Sequence, residues 1–136
     1  MSQYYNQDYT KEEISSVLQK IQECVSNGKY TVAQNENRAE NVAFIREYNL
    51  TSEKQRQILM QIGVEDFCHS LQNMNLGFEH EILYVFCSQI TLFNFGDEER
   101  TLDLYTKFNI IDLPTGSRVV VISLHERNKP IDYLFR

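Results

Sequence analysis

The sequence is poor in the residues that staple a fold, cradle a phosphate or anchor a membrane. It has three cysteines, Cys24, Cys68 and Cys87, which are odd in number, far apart and never in a Cys-x-x-Cys pair. Neither a disulfide framework nor a thiolate metal cage is indicated, and a reducing cytoplasm is the expected compartment. There are five glycines, with no Gly-rich phosphate loop or Walker pattern among them, which excludes the usual nucleotide-cofactor cradles. No apolar run approaches the ~18 residues of a membrane span, and residues 1–10 lack the basic and apolar regions of a signal peptide. Basic residues are also scarce: 13 stand against 19 acidic ones, for a net charge of -6 and a pI near 5.0. That balance argues against a broad nucleic-acid coat or a membrane-surface binder and leaves room for a local basic site.

What is present is an ordinary globular composition, 42% hydrophobic and 24% charged over 136 residues, enough for one domain with its own core. Residues 1–10 read as a flexible N-terminal tail and residues 11–136 as a single α+β domain. Ile14, Val17, Leu18, Ile21, Cys24 and Val25 recur at helical spacing, with Thr10 and Glu13 as a capping box and Asn27-Gly28 as the stop. After a short extended piece at Tyr30–Ala33, a second helix is expected over Arg38–Tyr48, a third over Ser52–Ile62, and one further helical turn over Val64–Leu71. Beyond Phe78 the period changes to two. Ile82–Cys87, Gln89–Phe95, Leu102–Phe108, Arg118–Leu124 and Ile131–Phe135 read as consecutive antiparallel strands, with turns at Gly96-Asp97, Pro114-Thr115-Gly116 and Asn128-Lys129-Pro130. Helices followed by strands predict a helical layer on one face of a twisted antiparallel sheet, the other face partly open.

The strand around residue 105 is the most informative. Alternation puts Leu102, Leu104, Thr106 and Phe108 on one face and Asp103, Tyr105 and Lys107 on the other, either a solvated strand face or one that carries chemistry. Ser123 and His125 share a face at the end of the next strand, where the histidine could reach Tyr105 and Lys107, or could simply be a surface residue. His69 is a second proton-transfer candidate. A zinc set of Cys68, His69, His80 and Cys87 is set aside, because adjacent ligands suit a tetrahedral site poorly. Asp97-Glu98-Glu99 reads as a solvated hairpin tip, and no nucleophile elbow supports a serine triad. Lysine, tyrosine, histidine and arginine remain, and together they suit metal-free RNA cleavage. That reaction needs a base for the 2′-hydroxyl, a cation for the charge growing on phosphate, and an acid for the leaving 5′-oxygen.

Arg38–Thr51, Ile62–Phe67, Leu83–Phe86, Leu104-Tyr105-Thr106-Lys107-Phe108, Val121–Glu126 with Ser123-Leu124-His125, and Lys129–Tyr133 form an ordered series over about residues 30 to 136. In that order they resemble the MqsR-type toxins of bacterial type II toxin-antitoxin systems. The resemblance implies a RelE-like fold and a metal-independent endoribonuclease, an mRNA interferase without cofactor. Its expected partners are a cognate antitoxin protein and an mRNA substrate, with no membrane and no direct DNA contact. Carried over by position, Tyr105, Lys107, His125 and His69 are the catalytic candidates; Arg118, Arg127 and Lys129 are the nearest cations for phosphate contacts. His69 stands where relatives carry lysine. Glu79, His80 and Glu81 occupy a region where the family has a basic position. The family's nucleases are commonly basic and this chain is acidic, which points to a ribosome-presented or locally bound substrate. A rival reading is a non-catalytic protein-binding regulator on the same scaffold; a nucleic-acid-binding repressor would need a basic helix stripe, which is missing.

Overall fold

The computed structural model describes residues 5–34 and 38–136. The first helix, α1 (Lys11–Ser26), starts where the capping box predicts. Thr10 Oγ1 accepts from the Glu13 amide at 3.1 Å, and the Thr10 amide donates to Glu13 Oε1 at 2.8 Å. It ends at Gly28, whose φ of 71° lets the Lys29 and Gly28 amides fold back onto the Cys24 and Val25 carbonyls. Its buried face is Ile14, Leu18, Ile21, Cys24 and Val25, as the spacing predicts.

After β1 (Tyr30–Val32) come α2 (Ala39–Glu47) and α3 (Ser52–Met60). Asn49, at φ 47°, closes α2 in the same manner, and the Thr51 hydroxyl caps α3 by accepting from the Lys54 amide. A 3-10 turn at Val64–Asp66 leads into β2 (Phe67–Gln72), followed by β3 (Ile82–Phe93), β4 (Glu99–Leu113) and β5 (Gly116–Glu126). The sheet order is β1-β5-β4-β3-β2.

The architecture is α+β, with the helices on one face of the sheet. Helix residues Ile14, Leu18, Phe44, Ile58 and Leu59 share one core with Phe86, Leu104, Phe108, Val121 and Leu124 of the strands. Thr106, also on this face, satisfies its hydroxyl by donating to the Phe86 carbonyl at 2.8 Å. Cys68, Leu71, Leu83, Val85, Cys87 and Tyr105 form a second cluster against Ile131 and Tyr133.

Four expectations need correction. The sheet is mixed, because β1 pairs with β5 in parallel, Tyr30 against Val119 through Val32 against Val121. Three residues are too few to show alternation, yet they give the outer edge of β5 its hydrogen bonds. Residues 67–71 form a strand, not a helical turn. A bulge between Phe67 and His69 and cover on both faces leave five consecutive residues buried, so no period of two survives in the sequence. The two strands expected over 82–95 are one, with Ser88 buried in mid-strand opposite Leu104. Ile131–Phe135 is not a strand. Ile131 and Tyr133 pack on the second face and partly cover it, whereas Leu134 and Phe135 pack against the main core, and the Leu134 amide donates to the Phe67 carbonyl at 3.1 Å.

Of the expected N-terminal tail, residues 1–4 lie outside the described residues. Residues 5–10 lie along β2: the backbones of Asn6 and Ser70 exchange hydrogen bonds at 3.0 and 2.9 Å, and Gln7 Nε2 donates to the Cys68 carbonyl at 2.8 Å. Among the described residues, no helix is long and apolar enough to cross a membrane.

Candidate active site on the second face of the sheet

Strand alternation and pairing bring four of the predicted residues onto one face. Cys87, Tyr105 and His125 lie in register across β3, β4 and β5. The next row holds His69, Val85, Lys107 and Ser123 across β2 to β5. Three strand spacings of about 4.8 Å make this row about 14 Å wide, and the two rows are about 7 Å apart along the strands.

A bulge in β5 aims its end. Lys107 pairs with Ser123 and Phe108 with Val121, leaving Ile122 as the extra residue. The side chain of Asn41, 1% exposed, satisfies the backbone on either side of it. Its Nδ2 donates to the Ile122 carbonyl at 2.9 Å and the Ala33 carbonyl at 2.8 Å, and its Oδ1 accepts from the Leu124 amide at 2.8 Å. Helix α2 is thereby fastened to the residue before His125.

The rings of Tyr105 and His125 stack with centroids 5.4 Å apart and an interplanar angle of 20°. His125 Nδ1 lies 2.9 Å from the Glu126 carbonyl oxygen, which can only accept, so Nδ1 is the donor, and in the neutral ring Nε2 presents a lone pair. Glu40 Oε2 is 3.8 Å from the same Nδ1, and Glu40 is held in turn by Asn128 Nδ2. Lys129 Nζ stands 5.2 Å from the centroid of the Tyr105 ring.

Among the described residues, two polar atoms on this face have no partner: His69 Nε2 and the Tyr105 hydroxyl. The residues are 4% and 3% exposed. Buried groups of this kind ordinarily find partners, so an unsatisfied pair on the face that carries Lys107 is a candidate place for the polar groups of a ligand.

The charges agree with that reading. Burial, helped by the Arg38 and Lys129 cations, lowers the Lys107 pKa from 10.5 to about 8. Burial followed by the Lys129 and Lys107 cations lowers His69 from 6.5 to about 4, against a smaller upward pull from Asp132. His69 is therefore a neutral ring at pH 7. Burial pushes the Tyr105 phenol up to about 12, with Tyr5, Cys68 and Cys87 adding to the effect, so the hydroxyl keeps its proton and can donate it in a hydrogen bond. In an acidic chain, Lys107 thus feels two further cations, Arg38 and Lys129.

Not every expected contact falls here. Arg127 is tied back, its Nε 3.3 Å from Asp103 Oδ2 and an Nη donating to the Lys129 carbonyl at 3.0 Å. Arg118 is exposed and pairs with Ile111, seven residues from His125 along β5, about 23 Å away. Arg38, Asn41 and Tyr5, which received no role from the sequence, all reach this face or brace it. Arg38 and Asn41 lie inside the motif at Arg38–Thr51, which was the available signal for them.

No family model, curated protein or solved structure matches the chain. The class defined by fold and site is an α+β domain with a lysine, tyrosine and histidine face flanked by cations.

Proposed function

We propose that this chain is a metal-independent endoribonuclease, an mRNA interferase toxin of the MqsR type with a RelE-like fold, whose partner is a cognate antitoxin protein. The observation that carries the reading is the unsatisfied pair, His69 Nε2 and the Tyr105 hydroxyl, on the same face as Lys107 and His125.

The chemistry follows from the groups. His125 Nε2 takes the proton of a ribose 2′-hydroxyl, and the 2′-oxygen bonds to the adjacent phosphorus as the bond to the 5′-oxygen breaks. The Lys107 ammonium and the Tyr105 hydroxyl face the charge that grows on the phosphoryl oxygens. A lysine with a pKa of about 8 is acidic enough to protonate the departing 5′-oxygen as well. His69, neutral and half of the unsatisfied pair, holds a substrate oxygen or base edge. The products are a 2′,3′-cyclic phosphate and a 5′-hydroxyl.

The test is cleavage of RNA by purified protein in EDTA, with end-group analysis, alongside induced expression in growing cells. Lys107→Ala and His125→Ala should each lower cleavage roughly 100- to 10,000-fold and relieve growth arrest while the protein stays folded. Intact RNA with the native chain, or full activity in both variants, refutes the assignment.

The acidic surface, net charge -6, favours a second reading: a non-catalytic protein-binding regulator on the same scaffold. Under it, growth and transcripts are unaffected and the native chain leaves RNA whole.

A further inference from the structure

The N-terminal arm delivers one aromatic ring to the site. Tyr5 lies flat on His69, with ring centroids 4.2 Å apart and planes 10° from parallel. The stack is asymmetric. His69 is buried, whereas Tyr5 is 51% exposed, so one face of the tyrosine is taken and much of the rest is open to solvent.

The arm is fixed immediately beyond this ring. Asn6 bridges Ser70 through both backbone bonds, Gln7 reaches the Cys68 carbonyl, and the Tyr9 hydroxyl is 2.7 Å from Ser70 Oγ. Tyr5 is therefore a ring held in place, and ordering it is not a cost that binding must meet. It also neighbours the chemistry, because its phenol is one of the groups that hold the Tyr105 proton on.

A flat aromatic with a free face beside cations and unsatisfied polar atoms matches how single-stranded nucleic acid is held. Bases stack on aromatic side chains, and their phosphates meet lysine and arginine. Protein side chains would not need this combination. A peptide partner would present few groups that use both a stacking face and the Lys107 and Lys129 charges.

We propose that Tyr5 is a substrate-binding residue: its open face stacks the unpaired base of the nucleotide next to the scissile phosphate of single-stranded RNA, so that residues 5–10 belong to the site. This rests on the ribonuclease reading above. Tyr5 orders the substrate through its base, and Lys107, Tyr105 and His69 engage the phosphate and ribose that follow.

The experiment pairs binding with cleavage. Short homopolymeric oligonucleotides carrying 2′-O-methyl groups, which cannot be cut, are followed by fluorescence anisotropy, and the matching all-ribose oligonucleotides are followed for cleavage. Tyr5→Ala should weaken binding about 5- to 150-fold, the loss of one stacked base, while Tyr5→Trp retains it. An oligonucleotide with one abasic position should reproduce the loss for the native chain and add little to Tyr5→Ala. Thermal unfolding confirms that the variants are folded; the exposed ring and the separate anchors at Asn6, Gln7 and Tyr9 make that the expected result.

Unchanged binding and cleavage by Tyr5→Ala, with the native chain active, overturn the stacking proposal and leave the ribonuclease reading standing. Faster cleavage by Tyr5→Ala also overturns it, since the ring would then occupy the place of the base. A folded native chain that neither binds nor cuts any of these RNAs overturns the ribonuclease reading and this proposal with it.

Discussion

Replacing Asn41 by alanine removes three hydrogen bonds from a side chain that is almost entirely buried. Each such bond is worth about 1 kcal/mol net, and a buried amide left without an acceptor costs about 1–3 kcal/mol. The Leu124 amide and the Ile122 carbonyl flank the bulge, and Asn41 bonds both. Allowing for partial access of water at the Ala33 carbonyl, the expected loss is about 2–4 kcal/mol. In a chain of this length that is roughly a 10 °C fall in Tm. Urea unfolding reads it directly: the midpoint falls while the slope stays constant, since the surface exposed on unfolding is unchanged. Because Leu124 precedes His125, cleavage should fall further than the loss of folded protein accounts for when measured well below the melting range. A loss under about 0.5 kcal/mol would mean that the bulge relaxes or hydrates without penalty, and the role given to Asn41 would be refuted.

Two pH predictions follow from the buried bases. Folding lowers the Lys107 pKa from 10.5 to about 8, so between those values the unfolded chain binds more protons and stability rises with pH; below about 8 the full penalty of burying the ammonium is present. Lys107→Met should therefore raise Tm at pH 7 while abolishing cleavage, and a lower Tm would count against a desolvated lysine. His69 is lowered from 6.5 to about 4, so the unfolded state also takes the extra proton in this window, and stability should fall as pH drops from 6.5 through 4. Histidine proton resonances followed by NMR should show the His69 ring neutral at pH 6; a midpoint at or above 6.5 would mean the ring is hydrated or paired.

Much of this could be read from local pattern, and what was missed shares a cause. Helix α1 carries its own start and stop in Thr10, Glu13 and Gly28, three signals within the element they bound. The β4 alternation placed Tyr105 and Lys107 on one face correctly, and adding Ser123 and His125 required only that neighbouring strands pair. Strand β2 was misread because burial on both sides removes the polar half of the alternation, which also put His69 in the wrong kind of element. Ile131–Phe135 has a strand's composition for a different reason: Ile131 and Tyr133 pack on the second cluster and Leu134 and Phe135 on the main core, so its apolar residues are buried without a ladder. Tyr5, Arg38 and Asn41 act on partners far away in the chain, and no local spacing encodes that.

The sheet order has a consequence in time. A chain made from its N-terminus exposes β1 and Asn41 well before β5 exists, and both direct their bonding groups at β5: Tyr30 to Val32 along its outer edge, Asn41 into its bulge. The strand that bears His125 is also the last strand to be synthesised, and it docks between the earliest strand and β4. Pairings this distant along the chain form slowly, because the loop must close before any contact rewards it. Until that insertion, His125 is not opposite Tyr105 and Lys107 is not opposite Ser123, so a nascent or half-folded copy holds the right residues without their arrangement. Insertion of β5 thus completes the five-stranded sheet and the reactive geometry in one event.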